Sequence, residues 1–241
     1  MLSSPTGSEM AARQRRFLDR VEAGELLADV LTGLVRPPAI VLGVPRGGVV
    51  VAARVAARLG APLDVVVPRK VGAPGNPELA VGAVADGVQA IDEPAIRRLG
   101  LDMAAVRAEV ARQTAEVSRR TAAYRPGRPP LELADRTAVL VDDGVATGWT
   151  CAAAASYTRR AGAARVLVAV PVGPPGLAER VAPVVDEVVV LVTPDPYLNV
   201  GQVYERFAQV EDDEVLRCLE EGRRGSGGLK ASPPVDRGVR G

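Results

Sequence analysis

Short apolar runs alternate with helical patterns along the second half of this chain. The apolar runs occupy residues 138–141, 166–170 and 188–192, and the helical patterns between them occupy 151–160 and 177–181. Wholly apolar, β-branched runs are typical of strands buried on both faces, and their alternation with helices predicts a parallel α/β sheet. The first half contains a similar unit, with strands predicted at 39–44 and 63–67 and a helix between them. We therefore expect one open parallel sheet flanked by helices.

The 241 residues are enough for one large domain with a buried core. We assign this domain to residues 13–221, preceded by a flexible N-terminus at 1–12 and followed by a glycine-rich, disordered tail at 222–241. The apolar spacing predicts a first helix that begins near Phe17 and ends before Pro37-Pro38. A long helical insertion is predicted at about 94–125, with Asp102 capping its main helix.

Turn-forming residues follow the strand at 63–67. Residues 71–77 are rich in glycine and proline, so they predict a mobile loop. A β-hairpin should return from this loop, with arms at 80–85 and 88–91. Its turn is Asp86-Gly87, a dipeptide suited to a tight hairpin connection.

The composition excludes several classes of protein. The chain has no histidine, which removes His-based catalytic triads, haem ligation and His-containing zinc sites. Cys151 and Cys218 are the two cysteines, too few for a disulfide framework, and they indicate a reducing compartment. A net charge of +1 and 3% aromatic residues argue against a nucleic-acid-binding protein. Without a signal peptide or a long apolar stretch, we expect a cytoplasmic protein that makes no membrane contact.

The most informative segment follows the strand at 138–141. Two acidic residues, Asp142 and Asp143, come directly after this strand, and a loop of small residues then leads into a helix. Backbone N–H groups of such a loop and of the helix N-terminus bind phosphate, while the acids can accept hydrogen bonds from sugar hydroxyls. The predicted ribose-phosphate cradle comprises Val145, Ala146, Thr147, Gly148, Trp149 and Thr150. The residues alone fit an Asp-Gly turn before a threonine-capped helix equally well.

This segment resembles the phosphoribosyl-pyrophosphate signature of type I phosphoribosyltransferases. It departs from that signature at Gly144, where an aliphatic residue is usual, and at Ala146, where a hydroxyl is common. The resemblance implies a diphosphate-binding loop after the first core strand, where Gly43-Val-Pro-Arg-Gly-Gly48 lies, with a cis peptide at Pro45-Arg46. It also implies a basic pair after the second core strand, where Arg69-Lys70 lies.

Further segments resemble a narrower group, bacterial phosphoribosyltransferases of unassigned acceptor. These segments are Phe17-Leu-Asp-Arg-Val-Glu-Ala-Gly24, Val44-Pro-Arg-Gly-Gly48, Arg69-Lys-Val-Gly-Ala-Pro-Gly-Asn-Pro-Glu-Leu-Ala80 and Tyr197-Leu-Asn-Val-Gly-Gln-Val-Tyr204. The resemblance implies a small hood at about 193–210 that holds the base, with Tyr197, Tyr204 or Phe207 as the aromatic candidates.

The resemblance implies a Mg²⁺-dependent transfer of ribose 5-phosphate from phosphoribosyl pyrophosphate to a base, such as a nucleobase, or the reverse reaction. Asp142, Asp143 and Lys70 are the implied catalytic residues, and the two acids would meet Mg²⁺ through ribose or water. The implied diphosphate ligands are Arg46, Gly47, Gly48, Arg69 and Lys70. Members of this family commonly form dimers, so the resemblance also implies a homodimer.

Two alternatives remain open at the level of sequence. A phosphoribosyl-pyrophosphate sensor could keep the fold without catalysis, although such regulators usually add a nucleic-acid surface. An NAD(P)-dependent oxidoreductase is suggested faintly by the glycines Gly43 and Gly47 between a strand and a helix. The third glycine of the dinucleotide motif is absent from that turn, which counts against the oxidoreductase.

Overall fold

A computed structural model of the protein describes residues 16–129 and 131–226. Its strands are β1 (Ala39–Gly43), β2 (Leu63–Val65), β3 (Arg69–Ala73), β4 (Asn76–Ala85), β5 (Val88–Ile91), β6 (Thr137–Val141), β7 (Arg165–Val172) and β8 (Glu187–Val192). Its α-helices are α1 (Arg20–Thr32), α2 (Gly47–Leu59), α3 (Glu93–Arg98), α4 (Met103–Tyr124), α5 (Trp149–Arg160), α6 (Leu177–Val181) and α7 (Asp212–Ser226). A 3-10 helix spans Val200–Val203.

The central sheet has five parallel strands in the order β2-β1-β6-β7-β8, which confirms the predicted open α/β architecture. Alternate residues of each strand face opposite sides because side chains alternate along a strand. Val41 and Val139 pack with helices α1, α2 and α7 on one face, whereas Leu42 and Leu140 pack with α5 and α6 on the other. Burial of both faces explains the wholly apolar strand sequences.

A second, antiparallel sheet in the order β3-β4-β5 lies between two helices. Val71 and Val81 pack with Val106 and Val110 of α4, and Ala83 packs beside Ala153 of α5. The prediction of a loop at 71–77 was therefore wrong. Pairing of β3 with β4 leaves a short turn at 74–75, where Gly75 has a φ of +79°.

The predicted helical insertion contains α3 and α4, and Asp102 caps α4 by accepting a hydrogen bond from the Ala104 amide at 2.9 Å. The far end of α4 is fixed to the central sheet. There Arg125 forms a salt bridge with Asp64 of β2 at 3.0 Å, and both side chains are 9% exposed. The insertion thus joins the hairpin to the edge of the central sheet.

Both ends of the described chain differ from the predicted boundaries. Helix α1 begins at Arg20 rather than near Phe17, and Phe17 instead bridges to Tyr204 in the hood segment. Helix α7 continues through Gly222 to Ser226, so the start of the predicted disordered tail was placed too early. The predicted flexible N-terminus and the rest of the predicted tail lie outside the described residues.

No helix in the described part of the chain combines the length and apolar character that are needed to cross a membrane.

Candidate functional site

The loops after β1 and β6 leave the sheet side by side. These strands are parallel neighbours, and Gly43 at the end of β1 pairs with Val141 at the end of β6. The register continues one residue further, because the Val44 amide donates to the Val141 carbonyl at 2.8 Å. The diphosphate loop and the acidic pair predicted from the sequence therefore meet at the carboxyl edge of the sheet, where α/β proteins bind ligands.

Gly47 and Gly48 touch the acidic pair directly. A Cβ on Gly47 would lie 1.9 Å from Asp143 Oδ2, and a Cβ on Gly48 would lie 2.8 Å from Asp142 Oδ1. No larger residue fits at either position without displacing an acid, so the two glycines set the depth of the site. The Pro45-Arg46 peptide that leads into this loop is cis, as the resemblance implies.

Arg20 of α1 holds the Asp143 carboxylate. Its Nε donates to Asp143 Oδ2 at 2.7 Å, and the two side chains are 11% and 16% exposed. Its Nη1 donates to the Ala208 carbonyl at 2.8 Å, and its guanidinium lies 3.9 Å from the centre of the Phe207 ring. Arg20 thus joins the first helix, the acidic pair and the hood segment.

Asp142 lies in an environment that disfavours its charged form. Its Oδ1 accepts a hydrogen bond from the Asp143 amide at 2.8 Å, beneath the backbone of Gly48. Burial of the carboxyl, and then the negative charge of Asp143, raises the pKa of Asp142 well above its usual range. The salt bridge of Arg20 is made with the neighbouring Asp143.

The predicted phosphate loop is fixed at both ends. The Val145 amide donates to the Val172 carbonyl at 2.9 Å, and the Tyr197 hydroxyl donates to the Val145 carbonyl at 2.7 Å. Gly148 has a φ of +88° and forms the N-cap of α5. Between these points Ala146 and Thr147 are exposed, and the N-terminus of α5 faces the same edge. The arrangement can bind an anion through backbone N–H groups.

The hood explains the departure at Gly144. A Cβ at this position would lie 2.5 Å from Val200 Cγ1 and 2.6 Å from Val172 Cγ1. Val200 of the hood therefore occupies the space that an aliphatic side chain would need. The departure reflects packing against the hood.

Tyr204 supports the site from within the protein. It is 4% exposed, its hydroxyl donates to the Asp143 carbonyl at 2.6 Å, and its ring stacks on Phe207 at 4.8 Å. Tyr204 therefore stabilises the backbone of the acidic pair. Because its ring is buried, it has little accessible surface for stacking on a base. Phe207 is 39% exposed and is the more accessible ring of this pair.

A cavity of about 440 Å³ lies beside the acidic pair. Four of the predicted site residues, Arg69, Lys70, Asp142 and Thr150, line it together. Its other wall comes from α4 and includes Glu109, Arg112 and Gln113. The sequence analysis did not predict these residues of α4 as part of the site. The one signal was Gln113, a polar residue at a position where the helical spacing predicts an apolar one.

Two predicted site residues direct their side chains elsewhere. Arg46 Nη1 lies 3.4 Å from Glu211 Oε2 in an exposed ion pair near α7. The Trp149 ring packs on the hairpin beside Ala83 and Ala85. Trp149 therefore reaches the loop through its backbone, while Arg46 would have to leave Glu211 to bind a ligand at the cavity.

Sequence reasoning also gave no role to Arg20. It lies within a segment that resembles the narrower bacterial group, which was a signal that this position matters. Its partner lies 123 residues away, and no local pattern reveals such a pairing.

In the part of the chain that the structure describes, no group of three or more cysteine, histidine, aspartate and glutamate side chains is arranged to hold a metal ion. Two adjacent acids, Asp142 and Asp143, lie at the carboxyl edge of the sheet, and Glu78 and Glu109 line the cavity beside them. Mg²⁺ commonly binds proteins through one or two carboxylates together with substrate phosphates. The residues present fit a Mg²⁺ that arrives with a phosphorylated substrate.

Comparisons with known proteins agree on one family. A family model described as the phosphoribosyl transferase domain matches residues 18–201. Two Mycobacterium tuberculosis proteins, from strains CDC 1551 / Oshkosh and H37Rv, are provisionally named phosphoribosyl transferases. Each is 45% identical over 225 residues, which cover 91% of this chain and 51% of the relative. The chain therefore spans about half the length of these curated relatives.

A crystal structure of the protein TT1426 from Thermus thermophilus has the same fold. It is 47% identical with a TM-score of 0.74, and the match covers 86% of this chain and 98% of that chain. The fold of this chain is therefore shared by a protein whose crystal structure is known.

We expect Asp142→Asn to stabilise the protein at high pH and to have little effect at low pH. Because the folded-state pKa is raised, ionisation of Asp142 destabilises the fold as the pH rises above the unfolded-state pKa. Thermal unfolding should show a Tm gain at pH 8 that shrinks towards pH 3. Glu132→Gln, at an exposed loop position, is the control. A gain that is the same at every pH would contradict the assignment.

We expect Arg20→Met to destabilise the fold by about 3 kcal/mol, because the nearly buried Asp143 would lose its ion-pair partner. Asp143→Asn in the same chain should recover part of this loss. Urea unfolding of the two single variants and the double variant measures the coupling. Strictly additive effects would show that the contact contributes nothing to stability.

Proposed function

The chain belongs to the phosphoribosyl transferase domain family, and from that membership we propose that it transfers ribose 5-phosphate from phosphoribosyl pyrophosphate to a nitrogenous base, or catalyses the reverse reaction. One observation carries the proposal. Gly47 and Gly48 meet Asp142 and Asp143 beside a cavity that Arg69 and other basic residues line. The acceptor is proposed to be a nucleobase.

The ribose 5-phosphate half of the donor would bind after β6. The backbone of residues 145–150, the hydroxyls of Thr147 and Thr150, and the N-terminus of α5 would hold the phosphate. Asp142 and Asp143 would hydrogen bond to the ribose hydroxyls.

The diphosphate half would bind between the glycine loop and the hairpin. Gly47 and Gly48 allow the diphosphate to approach the backbone closely, while Arg69 and Lys70 supply positive charge from β3. Arg46 would join them after leaving Glu211. That ion pair is long and exposed, so its loss would cost at most about 1 kcal/mol.

Asp142 and Asp143 would help to hold a Mg²⁺ that arrives with the donor, each contacting it through ribose or water. When bound, it would neutralise part of the negative charge on the leaving diphosphate. Asp143 Oδ2 already accepts from Arg20, which favours an indirect contact with the ion.

The reaction breaks the bond between the anomeric carbon and the diphosphate oxygen, and the bonding electrons leave with the diphosphate. Lys70 and Arg69 would stabilise that charge, and the carboxylates would stabilise the oxocarbenium-like sugar. The acceptor nitrogen then forms the new bond to the anomeric carbon. The chain has no histidine, so the acceptor proton would pass to a carboxylate or to solvent.

The decisive assay incubates the protein with phosphoribosyl pyrophosphate, Mg²⁺ and a panel of nucleobases, and measures diphosphate release. We expect release with at least one base and donor binding by calorimetry. Donor binding without turnover on any base would favour the non-catalytic sensor, and absence of donor binding would overturn the proposal. Sedimentation velocity on the same preparation would check the expected homodimer.

We expect Gly47→Ala to weaken binding of phosphoribosyl pyrophosphate by at least about 100-fold, which corresponds to roughly 2.7 kcal/mol. The added Cβ would overlap Asp143 Oδ2 and push the acidic pair away from the loop. Gly33→Ala is the matched control, because its Cβ would meet nothing closer than 3.9 Å. Calorimetry compares the two variants, and equal affinities would remove Gly47 from the site.

A further inference from the structure

Helix α4 places a buried polar side chain against the basic residues of the hairpin. Its apolar stripe packs on the hairpin through Val106, Val110 and Val117, and Gln113 occupies the position between Val110 and Val117 in this stripe. Gln113 is 5% exposed. A glutamine buried at this depth must use its hydrogen-bonding groups, because an unsatisfied buried amide is costly.

The Gln113 amide uses both of its ends. Its Oε1 accepts from Arg69 Nε at 3.1 Å, and its Nε2 donates to Glu109 Oε1 at 2.8 Å. Glu109 in turn accepts from Arg112 Nε at 2.8 Å and from Arg112 Nη2 at 2.7 Å. Because Nε2 is bonded to Glu109, these hydrogen bonds fix Oε1 as the end of the Gln113 amide that faces Arg69.

The residues of this hydrogen-bond series line the cavity. Arg69, Gln113, Glu109 and Arg112 all line it, together with Asp142. Because Gln113 engages Nε of Arg69, the two Nη groups of that guanidinium are the ones that can turn towards a ligand. Two Nη groups of one guanidinium form a planar fork that matches two oxygens of a phosphate.

The surroundings of Arg69 favour an incoming anion. Burial of the side chain, and then the positive charge of Arg120, lowers the pKa of Arg69. Gln113 is neutral, so it orients the guanidinium without neutralising it. Glu116 and Glu109 counter part of this effect, and an anion in the cavity would give the guanidinium a further partner of opposite charge.

We propose that Gln113 is a positioning residue that aims the Arg69 guanidinium at the diphosphate group of the donor. The inference rests on the proposed function and goes further, because it gives the helical insertion a part in ligand binding. It assigns α4 to one half of the donor only, since the ribose 5-phosphate loop lies after β6 and is held by Val172 and Tyr197.

Gln113→Leu separates this role from a structural one. Leucine has a similar volume and suits the apolar stripe, so the variant should fold, and loss of the hydrogen bonds to Arg69 and Glu109 should lower the Tm by no more than about 5 °C. Affinity for inorganic diphosphate with Mg²⁺ should fall about 10-fold, because Arg69 loses its orienting hydrogen bond. Affinity for ribose 5-phosphate should not change. Gln89→Leu, the same change at an exposed position of β5, is the control and should leave both affinities unchanged.

Binding can be followed through the fluorescence of Trp149, the single tryptophan, which precedes Thr150 in the phosphate loop, or by calorimetry. In an Arg69→Met background, Gln113→Leu should cause no further loss of diphosphate affinity, because its effect passes through Arg69. Additive losses, equal losses for both ligands, or an unchanged diphosphate affinity would overturn the inference.

The controls also separate this inference from the proposed function. If the wild-type protein binds diphosphate and ribose 5-phosphate but Gln113→Leu has no effect on either, the inference alone fails. If the wild-type protein binds neither ligand, the proposed function fails and the inference falls with it.

Discussion

The common end of strands β1 and β6 is the constraint on which the site depends. Because Gly43 pairs with Val141 and the Val44 amide bonds to the Val141 carbonyl, the two following loops are forced into contact. Gly47 and Gly48 satisfy that contact, since they carry no Cβ and the acids occupy the space where one would lie. A shift of one residue in the pairing would separate the loops, so the register of the buried sheet determines the geometry of the site.

The sequence predicts the central sheet well because the signal is local. Each buried strand is a continuous apolar run, and each connection contains a helix, so strand order was the main unknown. The hairpin between β4 and β5 was predicted correctly, whereas most of β3 and the start of β4 were mistaken for a loop, because glycine and proline are typical of loops. Here a Cβ on Gly72 would lie 2.7 Å from the Pro77 backbone, so glycine serves the close approach of two paired strands.

Helix α7 was missed for a related reason. Its buried residues Val215 and Leu219 have helical spacing, and they pack on α2 beneath the central sheet. The glycine-rich residues that follow it obscured that pattern. Site residues such as Arg20 and Gln113 could not be found locally, because their partners Asp143 and Arg69 lie 123 and 44 residues away.

The cations around the site fall into two groups according to how firmly the protein holds them. Arg20 has short contacts with Asp143 and Ala208, whereas Lys70 lies 3.4 Å from Glu78, whose side chain is 92% exposed. An exposed pair of that length contributes at most about 1 kcal/mol, so an anion can replace Glu78 at little cost. Arg20, which is firmly held, fixes the position of the Asp143 carboxylate. Lys70, which is loosely held, can exchange Glu78 for another anion. A chain with a net charge of +1 can thus present a basic pocket when an anion arrives, while its positive charges are balanced internally before that.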